Sequence, residues 1–261
     1  MFTITTEKLS KKSIDNWNNR FEYNCVYILA NKKDAYIGQT FKIGQRAEQH
    51  ITVKNYIKDY NFKTVHIIRG GILDGFDRTT ALHFEYLLLK LMRVDGKLHV
   101  VNRNFTTLEP YNRMHTFENY FDELWPELVK NNIVKQREFK TIINTSAYKY
   151  SPDTLLNHPQ QKALDATISA FDSGSLNSVG KNYKERVVLV NGSADIGKTV
   201  FTTSLLHYFK TNENFKYKKV ALVYSQPSMR ESIREAAKAH DGLDAKDILD
   251  IQKLYLSGFD L

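Results

Sequence analysis

The chain has 261 residues, 42% of them hydrophobic, 25% charged and 12% aromatic, which is enough apolar material to bury a core and excludes a disordered chain. Its 37 Lys and Arg against 29 Asp and Glu leave a formal +8, and the single cysteine, Cys25, excludes a disulfide scaffold or a zinc site built on cysteines. No segment reaches the ~18 apolar residues of a membrane helix and the first residues hold no apolar signal core, so the expectation is a cytoplasmic protein without a membrane partner.

Two apolar runs, Cys25–Ala30 and Ala35–Gln39, flank the turn-type sequence Asn31-Lys32-Lys33-Asp34 and predict a β-hairpin. A helix is expected from Ile43 to about Tyr56, then a third strand over Lys63–Ile68. The leucine spacing of Thr79–Met92 predicts another helix, with Thr79 and Thr80 as candidate N-caps. Leu98–Val101 runs into the polar Asn102-Arg103-Asn104. Residues 114–142 read as helical but interrupted at Pro126, and the polar stretch 144–153 reads as a linker. Beyond it come a helix (Pro159–Phe171), a Ser/Gly/Asn-rich loop (172–182) and a strand (Arg186–Val190). A glycine loop, a helix (Thr199–Lys210), a strand (Lys219–Ser225) and a helix (Ser228–His240) complete an α/β order that implies parallel strands. The expected domains are 1–143, with a helical C-terminal extension, and 154–261. Residues 1–150 carry a net +7 and the remainder +1, so a phosphate-gripping surface belongs on the first half.

That half also holds a set of chemically apt side chains. Tyr27 lies on the first hairpin strand and Tyr36-Ile37-Gly38 on the second. Arg46 and His50, four apart, share one face of the following helix. Glu85 stands in an otherwise apolar helical run, where a carboxylate needs a partner. The bland alternative is that Tyr27 and Tyr36 are merely a cross-strand aromatic pair.

The ordered set Tyr27, Tyr36-Ile-Gly38, Arg46, His50, Glu85 and an asparagine after the next strand resembles the GIY-YIG nuclease family over about residues 21–105. Asn102 is the preferred asparagine and Asn104 is also eligible. The first triplet has Cys-Val where the family has Gly-Ile. The resemblance implies a small three-stranded antiparallel sheet flanked by helices that cleaves one phosphodiester strand of nucleic acid, DNA for preference, with Mg²⁺ or Mn²⁺. Glu85 would be the sole protein ligand of the metal and Tyr27 the general base. Arg46 would stabilise both the phenolate and the transition state, while His50 and Tyr36 position water, proton and phosphate. A symmetric double-strand cut would need a homodimer or a further subunit.

In the second half, Gly192-Ser-Ala-Asp-Ile-Gly197-Lys198-Thr199 fits G-x-x-x-x-G-K-[ST] between the expected strand and helix. Such a loop cradles phosphates on its backbone N–H groups, with Lys198 on the β- and γ-phosphates and Thr199 on Mg²⁺. This half resembles the P-loop core of superfamily-1-like helicases, especially Schlafen-type ATPases, over about 110 residues, with Gln160 as the adenine reader and ATP as the implied nucleotide. Asp195 stands where glycine is common. The chain reaches Leu261 before a strand ending in paired acidic residues, and Asp247 and Asp250 lack an evident preceding strand. The expectation is therefore a partial P-loop domain that binds a nucleotide without hydrolysing it, fused to a nuclease in a restriction or phage-defence setting. The alternatives are a nucleic-acid-binding regulator with a dead nuclease site and a truncated helicase.

Overall fold

The computed structural model describes residues 2–18, 22–52, 56–70, 76–102, 117–172, 188–193, 196–215 and 218–256. The chain divides into two compact units, Met1–Tyr148 and Lys149–Leu261.

In the first unit, β1 (Thr3–Lys8), α1 (Lys11–Asn18), β2 (Cys25–Ala30), β3 (Asp34–Thr40) and α2 (Ile43–Thr52) come first. They are followed by α3 (Tyr56–Asp59), β4 (Thr64–Arg69), α4 (Arg78–Asp95), β5 (His99–Val100), α5 (Phe117–Lys130) and α6 (Phe139–Ile143). The three strands read from the sequence are β2, β3 and β4, and they form the antiparallel centre of a sheet that has five strands rather than three, ordered β1-β4-β2-β3-β5. β1 extends it antiparallel to β4, and β5 lies parallel to β3. β1 (TITTEK) leaves little apolar pattern to read, because an edge strand with charged residues is wet on one side.

β2 is buried along its whole length because it is the middle strand and both of its faces are covered. Alternation assigns its side chains to two layers. Val26 and Ile28, with Ile37 of β3 and Ile68 of β4, pack on Phe84, Leu88, Phe121 and Trp125 of α4 and α5. Cys25, Tyr27 and Leu29, with Val65 and Ile67, pack on Ile14, Trp17, Ile43 and Ala47 of α1 and α2. The result is a helix–sheet–helix sandwich with Tyr27 inside the second layer.

Two local expectations are corrected. The N-cap of α4 is Asp77, whose carboxylate accepts both the backbone N–H and the hydroxyl of Thr80 at 2.8 Å. A carboxylate also suits the positive end of the helix dipole better than a hydroxyl. Pro126 does not interrupt its helix, since α5 runs through it. Burial of Phe121, Leu124, Trp125 and Leu128 offsets the ~3 kcal/mol that an interior proline costs. The break comes later, where buried Asp95 accepts the N–H groups of Lys135 and Gln136.

The expected linker contains α7 (Ser146–Lys149), with Ala147 buried. Tyr148 carries the ammonium of buried Lys90 4.0 Å above its ring, in the first unit. Ser151 and Asp153 are buried against His240 in the second, at 2.8 and 3.2 Å.

The second unit contains α8 (His158–Asp172), α9 (Lys198–Thr211), β6 (Leu222–Val223), α10 (Pro227–Lys238), β7 (Ile248–Leu249) and α11 (Ile251–Leu256). β6 and β7 are parallel and pack with Leu206 and Ile233. The strand expected over Arg186–Val190 is not seen where it is described. Residues 188–190 pair with no strand among the described residues, and Leu189 is 79% exposed. Apolar content alone supplies no neighbouring strand to bond with. The expectation that Asp250 lacks a preceding strand is also overturned, because it directly follows β7, whose Ile248 is fully buried. Asn104, Asp195 and residues 173–182 lie outside the described residues.

Candidate active site

The β2–β3 register sets Tyr27 opposite Gly38. The phenol lies flat over that glycine, so a Cβ there would stand 2.4 Å from the Tyr27 oxygen. This close approach is why the hairpin carries glycine at position 38. Tyr36, two residues earlier, brings its ring to 6.3 Å from that of Tyr27.

α2 brings two further groups to the same oxygen. His50 Nε2 is 2.8 Å from Tyr27 Oη, and Arg46 Nε donates to it at 3.2 Å. The guanidinium also hydrogen-bonds Tyr36. The i, i+4 spacing of Arg46 and His50 makes this convergence possible. Gln49, a residue the sequence reading passed over, accepts from Arg46 Nη1 at 3.2 Å and steadies it. Its signal was only an i, i+3 spacing.

Burial sets the protonation states. It drives the Tyr27 phenol well above its ordinary value, helped by the charge of Tyr36; Arg46 pulls the other way and Glu85 adds a smaller upward push. Arg46 therefore does not prevail, contrary to the expected lowering. His50 is pushed down to about 4 by burial and by the neighbouring Arg46, so its imidazole is neutral near pH 7. With Arg46 already donating to Oη, the phenol O–H is free to donate to Nε2, and the buried Nδ1 has no hydrogen-bond partner among the described residues.

Glu85 is half-buried on α4, near enough for its charge to act on Tyr27. Among the described residues no three His, Cys, Asp or Glu side chains gather as a metal cluster. A lone carboxylate is a donor set that fits Mg²⁺, which retains most of its waters and takes one or two carboxylates.

Asn102 stands apart from the phenols. Its side-chain amide accepts from the N–H of Ile37 at 3.0 Å and donates to the carbonyl of Ile37 at 2.7 Å. β5 pairs with β3 only at Asp34 and Ala35, so Asn102 extends the ladder along β3, holding the strand between Tyr36 and Gly38. It positions the site and touches none of its reactive atoms among these contacts.

In the second unit, Gly197 caps α9 at φ +83°, a left-handed conformation that favours glycine. Lys198 Nζ curls back to the carbonyls of Gly192 and Ser193 at 2.9 and 2.5 Å. Gln160 Nε2 donates to the carbonyl of Ile196 at 2.6 Å, and its Oε1 accepts from Asn157 N–H at 2.8 Å. Thr199 lies in the first turn of α9, half-buried. Asp247 pairs with Lys210 at 2.9 Å, and Asp250 accepts from Lys253 N–H at 2.7 Å. Gly192, Gly197, Lys198 and Thr199 thus lie on one loop and the helix start after it, Gln160 of α8 reaches that loop, and both Lys198 and Gln160 are engaged by its backbone carbonyls. No protein-family model, curated protein or solved structure matches the chain.

Proposed function

We propose that the chain is a metal-dependent endonuclease of GIY-YIG type that cleaves a phosphodiester strand of nucleic acid, DNA for preference. Its second unit would bind a nucleotide such as ATP. The observation that carries this reading is the meeting of Tyr27, His50 and Arg46 at one phenolic oxygen. A pair of phenols packed only for their area would need neither a guanidinium nor a neutral imidazole on that atom.

In the reaction, Tyr27 takes a proton from the attacking water as it passes its own to Nε2 of neutral His50. A phenol raised by burial cannot hold a standing negative charge, so the two transfers accompany each other. Tyr27 is fully buried, and Arg46 covers its oxygen. When Arg46 turns to the phosphate it uncovers Oη and stabilises the charge growing on the phosphoryl oxygens. Tyr36, 9% exposed, orients the phosphate, and Glu85 would hold the cation. A bound Mg²⁺ or Mn²⁺ would stabilise the leaving oxygen.

The burial that raises the phenol of Tyr27 favours a second reading, a nucleic-acid-binding regulator that does not cut. Incubating the chain with supercoiled plasmid and Mg²⁺ separates the two. Nicking that EDTA abolishes supports the nuclease; salt-sensitive binding with no nick under Mg²⁺ or Mn²⁺ supports the regulator.

A further inference from the structure

Within the first unit, large apolar side chains are buried or partly buried with one exception among the described residues. Phe41 is 48% exposed, whereas every other large hydrophobic residue with comparable exposure belongs to the second unit. It stands at the junction between β3, which carries Tyr36 and Gly38, and α2, which carries Arg46 and His50.

The junction is built rather than loose. Thr40 Oγ1 accepts the N–H of Lys42 at 3.1 Å, and the carbonyl of Lys42 accepts the N–H of Arg46 at 3.0 Å. The backbone on either side of Phe41 is thus tied to the strand and to the helix that frame the site. Lys42 follows, its ammonium 2.7 Å from Glu22, with both side chains about half exposed. A surface pair of that kind contributes little, so a phosphate can compete for the ammonium.

We infer that Phe41 is a base-stacking residue of the proposed nuclease, receiving the face of a nucleobase on the strand whose phosphate reaches Tyr27 and Arg46. The inference rests on the nuclease reading and adds to it a contact that sets substrate position. Three residues separate Phe41 from Gly38, against which the Tyr27 oxygen lies, about 10 Å along an extended strand. With a rise of ~3.4 Å per nucleotide along a stacked strand, the base concerned lies within about three nucleotides of the scissile phosphate. An exposed ring suits this use because every base has a π-face, so stacking adds affinity with little sequence preference. Lys42 would hold the adjoining phosphate.

The test uses the full chain, a single-stranded DNA oligonucleotide with 2-aminopurine placed at successive positions, and EDTA to prevent cutting. Phe41→Ala weakens binding roughly tenfold and relieves the fluorescence quench at one position only. Phe41→Trp keeps both affinity and quench. Phe41→Leu, apolar but without a ring, behaves like the alanine variant. Unchanged affinity and quench in the Ala and Leu variants would overturn the stacking role while leaving nucleic-acid binding intact. A parent chain that binds no oligonucleotide would overturn both this role and the nuclease reading beneath it. The substitutions are at an exposed position, and matching thermal midpoints confirm that folding is unaffected.

Discussion

Tyr27 and Gly38 face each other across the β2–β3 pair so closely that a single methyl on the glycine would stand 2.4 Å from the phenolic oxygen. The atom on which Arg46 and His50 converge is therefore held in place by a missing side chain. Gly38→Ala should push the ring off this seat. Overpacking of this kind costs about 1–3 kcal/mol. We expect a lower thermal midpoint together with a loss of cleavage larger than the fraction unfolded can explain. Parent-like stability and activity in this variant would show that the ring has somewhere else to go.

Asn102 gives a contrasting expectation. Asn102→Ala leaves the N–H and the carbonyl of Ile37 without their side-chain partner. Each unpaired buried group costs about 1–3 kcal/mol, so the urea midpoint should fall clearly. Cleavage per folded molecule, measured well below that midpoint, should fall less than when Tyr27 is changed. A stable but inactive Asn102→Ala protein would return this residue to the chemistry.

These two residues show how much of the site was legible. Hairpin alternation makes it readable that Tyr27 and Tyr36 share a face of the sheet, and the four-residue helical repeat that Arg46 and His50 share a face of α2, whereas the grouping of Glu85 with them came from the family resemblance. Asn102 was legible as an important polar residue but not in its role, since hydrogen bonding to a backbone 65 residues away leaves no local pattern. β1 was missed because its Thr-rich sequence gives an edge strand no apolar period, and β7 because two residues are too few to show one. Residues 188–190 failed in the opposite sense: their apolar run matches a buried strand, yet whether a strand forms depends on a neighbour elsewhere in the chain.

Stability should depend on pH through three histidines of the first unit. His50, His66 and His83 are each lowered from 6.5 to about 4, by burial in every case and for His50 also by Arg46. The unfolded chain then binds more protons than the folded one between those values. Stability is full above about pH 6.5 and is lost as pH falls toward 4. Urea midpoints taken from pH 7.5 down to 4.5 should decline, and His66→Gln should flatten the decline. A midpoint constant over that range would contradict these environments.

The loop of the second unit predicts a separable behaviour. ATP must draw Lys198 away from the carbonyls of Gly192 and Ser193. A charge-assisted contact is worth ~1.5–3 kcal/mol, so Lys198→Ala should weaken binding of a fluorescent ATP analogue roughly tenfold or more. Equal affinity in parent and variant would remove Lys198 from nucleotide binding.

The central claim is that the buried oxygen of Tyr27 moves the proton in phosphodiester cleavage, and Tyr27→Phe under single-turnover conditions with Mg²⁺ tests it most directly. The substitution removes one atom from a fully buried ring and keeps its shape. We predict a folded protein that still binds DNA but cuts it about 10²–10⁴-fold more slowly, the usual worth of a general base. Cleavage at the parent rate by the phenylalanine variant would contradict the account.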